Sequence, residues 1–78
     1  MKDFIDLKGA SGVVYRFRLW PKSTPHLPMA GNYVFLKAEP EGFTVLLIGA
    51  TNDLSLADGA WVRVTERGAT HAFTRLNS

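Results

Sequence analysis

The chain has 78 residues, 46% of them hydrophobic and 21% charged, with a formal net charge of +2 and no cysteine. That composition marks one small globular domain over residues 1–78 rather than a disordered segment, and a domain of this size buries only about 60% of its unfolded-chain surface, so its stability margin is small. The absence of cysteine excludes disulfides, zinc–thiolate sites, iron–sulfur clusters and a cysteine nucleophile.

At the N-terminus, Met1-Lys2-Asp3-Phe4-Ile5-Asp6 alternates charged and apolar residues and holds no signal-peptide core. No apolar run exceeds four residues, far short of the roughly 18 that a membrane-spanning helix needs. A cytoplasmic protein with no membrane partner is the expectation. Residues 4–8 lead to Gly9-Ala10-Ser11-Gly12, a turn-forming cluster, and residues 13–20 then alternate strictly. Val13, Tyr15, Phe17 and Leu19 fall on one strand face and Val14, Arg16, Arg18 and Trp20 on the other. The pair reads as a hairpin with a core face and a basic face, with Lys8 placed opposite the arginines.

Residues 21–28 hold three of the four prolines and form a surface connection, since proline removes a donor and disfavours helix before it. Gly31 opens a strand over residues 32–37, Glu39-Pro40-Glu41-Gly42 is a turn, and residues 43–48 read as a central strand covered on both faces because they are nearly all apolar. The C-terminal third supports two readings. Trp61-Val62-Arg63-Val64-Thr65 alternates like a strand, whereas Ala57, Trp61, Val64 and Gly68 follow helical spacing, with Thr51, Asn52, Asp53 and Ser55 available as N-caps and Gly68 as a C-terminal cap. The need to cover residues 43–48 favours a helix within 53–67. Residues 69–76 read as a last strand. The fold class is α+β: a small antiparallel sheet of four to five strands with one or two short helices on one face. Tyr15, Phe17, Leu19, Val34, Leu36, Val45, Leu47 and Trp61 are the expected core.

Gly31-Asn32-Tyr33 and Leu47-Ile48-Gly49 resemble the two signature tripeptides of the GIY-YIG nuclease superfamily, which lie on adjacent strands of one hairpin. Ala50-Thr51-Asn52-Asp53-Leu54-Ser55 is similar to the polar stretch before that family's first helix, and Trp61 with Gly68-Ala69-Thr70-His71 is similar to the later helix and last strand of a bacterial subgroup. The resemblance spans about residues 11–77. It implies a degenerate, catalytically incomplete member. The tyrosine that opens the second tripeptide is Leu47 here, the arginine eight residues past its glycine is Ala57, and the only later glutamate, Glu66, comes too early to match the family's metal ligand. Of the catalytic set only Tyr33 carries over. Phosphodiester cleavage needs an activated nucleophile, a cation against the developing charge and usually a metal, so no catalytic residue and no metal site are expected.

Other constellations are weaker. His26 and His71 stand 45 positions apart with no metal-ligand spacing, and read as a loop and a strand histidine. Ser11, Ser23, Ser55 and Ser78 sit in no nucleophile elbow, and Gly9-Ala10-Ser11-Gly12 lacks the lysine and helix of a phosphate loop. The functional candidates are Arg16, Arg18, Trp20, Lys22 and Tyr33. Interleaved arginine and aromatic residues on an exposed sheet suit phosphate contacts and base stacking. The same Trp20, with the proline loop and Met29, suits an aromatic protein interface. The sequence therefore points to an accessory binding domain without a small-molecule cofactor, with a protein partner favoured over nucleic acid.

Overall fold

The computed structural model describes residues 1–22 and 24–77, so Ser23 and Ser78 lie outside the described residues. Turn chemistry sets the first hairpin. Gly12 takes φ +84°, a left-handed value that side chains resist, and Gly9 N donates to Val13 O at 2.8 Å to close the turn between β1 (Phe4–Lys8) and β2 (Val14–Trp20). A tight turn at residues 40–41 joins β3 (Gly31–Glu39) to β4 (Gly42–Thr51). A 3₁₀ turn (Leu54–Ala57) and one helix, α1 (Asp58–Thr65), precede β5 (His71–Leu76). The strands form one curled antiparallel sheet in the order β1-β2-β5-β3-β4, so the α+β class holds, with a single short α-helix.

Residues 61–65 are helical, and local chemistry explains both ends of the segment. The Asp53 carboxylate accepts from Ser55 N at 2.9 Å, starting the 3₁₀ turn. At the far end Gly68 adopts φ +97°, while Ala69 N donates to Val64 O and Gly68 N to Thr65 O, the paired bonds of a glycine-terminated helix. What the helix covers differs from the expectation. Trp61, Ala57, Ala60 and Val64 pack on Trp20, Phe35 and Ala72, that is, on β2, β3 and β5, and on Ala69 just before β5. The opposite face, where the sheet curls, buries Ile5, Phe17, Val34, Leu36 and Phe73 against one another.

β4 is an edge strand, not a central one, because β5 takes the place beside β3 and leaves β4 paired on one side only. Its apolar run is divided by a β-bulge. The register moves from Phe35↔Leu47 to Leu36↔Val45, and the extra residue puts both Leu46 and Leu47 against the aromatic cluster. Phe43, Val45 and Ile48 are left on the other face at 39%, 42% and 57% exposure. Among the expected core residues, Phe17, Val34, Leu36 and Trp61 are buried, and Leu19 and Leu47 are half-buried. Val45 and Tyr15 are exposed. Val45 follows β4 to the edge, and Tyr15 lies on the stretch of β2 beyond its pairing with β5, which ends at Arg18↔Thr74. No helix among the described residues is long and apolar enough to cross a membrane.

Candidate functional site

The proline-rich connection lies on the helix-covered face, beside α1, and Trp20 fixes it there. The Trp20 indole N–H donates to Thr24 O at 2.6 Å, and its ring meets His26 edge-on at 5.2 Å and Trp61 at 6.0 Å. Further along, Leu54 N donates to Met29 O and Asn77 N to Ala30 O. Trp20 is therefore 3% exposed, tucked beneath the loop. Strand alternation placed it correctly on the face of Arg16 and Arg18, but that face is open only at the arginine end. Trp20 itself presents no ring there for base stacking or for an aromatic interface.

Arg16 and Arg18 remain at the surface, in different states. Register pairs Arg16 with Asp6, and Lys8 instead faces Val14. The Arg16 guanidinium grips Asp6 with two bonds, at 2.9 and 3.1 Å, and lies 3.9 Å over the Phe4 ring. This hydrogen bond, with the charge behind it, holds the Asp6 carboxyl below the usual aspartate range and raises Arg16. Arg18 has neither an ion pair nor a side-chain hydrogen bond among the described residues.

Beyond the Arg18↔Thr74 pair the two strands part, and the loop roofs the opening. The result is a cleft of about 390 Å³ with Arg16, Arg18, Arg75, His26 and Thr74 in its lining, completed by Pro25, Leu27 and Leu76. His26 is held by both ring nitrogens: Nδ1 lies 3.0 Å from Leu27 O, which only accepts, so Nδ1 carries a proton. In the neutral ring Nε2 then accepts from the Thr74 hydroxyl at 2.8 Å. Arg75 lies 4.6 Å over the Tyr15 ring and donates to Asn77 Oδ1 at 3.3 Å. The sequence reading missed Arg75, His26 and Thr74 as site residues. Its alternation put Arg75 opposite Thr74, and nothing in the local pattern showed that the loop would fold back onto β5.

Tyr33 joins this surface through the register. Arg18, Thr74, Tyr33 and Gly49 are successive cross-strand partners, so they share one face and one row. With strands about 4.8 Å apart, Tyr33 stands roughly 10 Å from Arg18. Its phenol lies over Gly49, where an added Cβ would meet the hydroxyl at 2.5 Å. Lys22 is not part of the group. It sits on the other flank of the loop, with its ammonium 6.0 Å from the Trp61 ring, in a second cleft of about 540 Å³ that also carries Asp58 and Glu66.

The two positions at which the resemblance departs from an active nuclease are both inward. Leu47 packs half-buried on the aromatic cluster, and Ala57 is buried in the same cluster at the N-terminal end of α1. Among the described residues no three His, Asp or Glu side chains are grouped to hold a metal ion. Comparison of the chain with family models, with curated proteins and with solved structures finds no match in any of the three.

Proposed function

We propose that this chain is a non-catalytic binding domain, GIY-YIG-like in build, that seats the phosphates of a single nucleic-acid strand in the cleft between the proline-rich loop and β2. The observation that carries the reading is Arg18: an exposed guanidinium with no internal partner among the described residues, in a cleft with His26 and Thr74 whose other two arginines are engaged, Arg16 with Asp6 and Arg75 over the Tyr15 ring. A guanidinium left free by its own chain is available for a bidentate contact with phosphate. Pro25, Leu27 and Leu76 offer apolar surface beside it for sugar and base. The GIY-YIG-like build draws support from the direct pairing of Tyr33 with Gly49 across the β3–β4 hairpin. The non-catalytic character draws support from Leu47 and Ala57, which put hydrocarbon where that chemistry needs a phenol and a guanidinium. The burial of Trp20 takes its ring from base stacking and from an aromatic protein interface alike, and the free Arg18 guanidinium is what turns the preference to nucleic acid.

The test is fluorescence anisotropy of a labelled single strand of about 15 nucleotides, titrated at rising salt. Binding at low salt should weaken with a log–log slope of about −0.7 to −1.4, corresponding to one or two neutralised phosphates. Arg18→Ala should weaken it about tenfold, or ~1.4 kcal/mol, whereas Lys22→Ala should leave it within about twofold. No binding at low salt, or unchanged affinity in Arg18→Ala, overturns the proposal.

A further inference from the structure

We propose that β4 is a self-association strand, pairing antiparallel with β4 of a second copy so that two five-stranded sheets join edge to edge. The inference is independent of the cleft, since β4 and β2 are separated in the sheet by β5 and β3.

Three observations converge on this edge. First, β4 pairs only with β3, so one side of a ten-residue strand keeps its ladder groups unpaired. Second, none of the ten residues Gly42–Thr51 is charged and none is proline, so the edge lacks the two residue types that most often block strand addition. The bulge at Leu46 is itself an edge-blunting device and breaks the outer edge into two uncharged stretches, 42–45 and 47–51, along which a second strand can pair. Third, Phe43, Val45 and Ile48 lie exposed on one face, because their partners Ala38, Leu36 and Val34 all lie on the curled, helix-free side.

A second copy is the occupant that this chemistry selects. A partner recruited by charge would need charge on β4, and there is none. A copy of β4 itself brings no like-charge repulsion into the ladder. Antiparallel pairing about a two-fold axis perpendicular to the sheet also keeps Phe43, Val45 and Ile48 of both copies on one face, where their apolar surfaces meet across the strands. Each protomer carries only one such edge. The other edge is β1, which has charged Asp6 and Lys8 along it, so the contact closes at two copies and does not propagate. The contact is narrow: ten residues span about 34 Å, and a single ladder buries less than the roughly 800 Å² per partner of a standard interface. A weak dimer follows.

Sedimentation velocity across a range from micromolar to millimolar protein tests this directly. The parent should pass from monomer to dimer and stop there. Val45→Lys and Ile48→Lys, whose side chains are exposed and leave the core intact, should each raise the dissociation constant roughly tenfold or more, while Lys8→Glu on β1 should leave it unchanged. Amide hydrogen exchange supplies a readout that needs no variant: amides within residues 42–51 should slow as concentration rises, and those of β1 should not. A monomer throughout, a mass that grows beyond two copies, a dimer indifferent to both lysines, or exchange in β4 that ignores concentration would each overturn the proposal.

Discussion

The sheet has two free edges built on opposite principles. β1 is five residues long, carries Asp6 and Lys8, and is clasped to β2 by the two-bonded Asp6–Arg16 pair with Arg16 lying over Phe4. β4 is twice as long, has no charge, and holds its place through Leu46 and Leu47 on the aromatic cluster. Charge on the first edge fixes register and repels a further strand. Hydrocarbon on the second secures the strand from one face only and leaves the other face available. The contrast also explains why the arginines of β2 differ in availability. Arg16 is spent on closing its own edge, and Arg18, two residues on and across from Thr74, is not.

The largest effect that can test this contrast lies in β3, the strand on which β4 leans. Phe35 is fully buried and touches the rings of Trp20, Trp61 and Tyr33. Phe35→Ala should cost about 3–5 kcal/mol in urea denaturation, a large part of what a domain of this size has. Val45→Ala, one strand further out, should cost under about 1 kcal/mol. Comparable losses at the two positions would mean that β4 is covered on both faces, and the asymmetry between the edges would vanish.

The sequence reading went wrong at β4, and the reason is physical. Period-two alternation and apolar content report how many faces of a strand meet hydrocarbon, not whether a further strand lies beside it. Val45-Leu46-Leu47-Ile48 looks doubly buried because a bulge turns two consecutive leucines to one face, an event with no mark in the residues themselves. Covering that strand is what calls for a helix within 53–67. It exists, but it covers Trp20, Phe35 and Ala72. What is legible is local: the Gly9–Gly12 turn, the faces of β2 and β5, a cap within residues 51–55 that the structure assigns to Asp53, and the Gly68 stop. What is not legible depends on non-local closure. The loop brings His26 to Thr74, a residue 48 positions away in sequence.

A medium effect is expected where β4 meets the candidate site. Gly49 lies under the Tyr33 phenol, and an added methyl group would meet its hydroxyl at 2.5 Å. Gly49→Ala must push the half-buried ring aside, since the backbone there cannot yield without breaking the Tyr33↔Gly49 pair. The expected loss is about 1–2 kcal/mol, together with a change in near-ultraviolet circular dichroism as the Tyr33 ring moves off Phe35. An unchanged spectrum and melting temperature would show that Tyr33 does not pack on β4 in solution.

The smallest effect belongs to β1, and its sign is fixed by the Asp6 carboxyl. Its hydrogen bond from Arg16 lowers its proton affinity in the folded chain. A carboxylate depressed in this way contributes stability above its unfolded value, near pH 4, and that contribution fades as pH falls through the lower folded value. The parent should therefore melt slightly above Asp6→Asn at pH 7, and the two should converge as pH falls through the lowered folded value of the carboxyl. Added salt at pH 7 should also narrow the gap, because both side chains face solvent and the pair is screened. The gap should be well below that caused by Gly49→Ala, since an exposed pair gains little over its hydrated partners. Self-association through β4 should be the same in parent and variant at pH 7, because the charge removed lies on the opposite edge of the sheet. A variant that dimerises more tightly would place β1 in the contact and reverse the roles of the two edges.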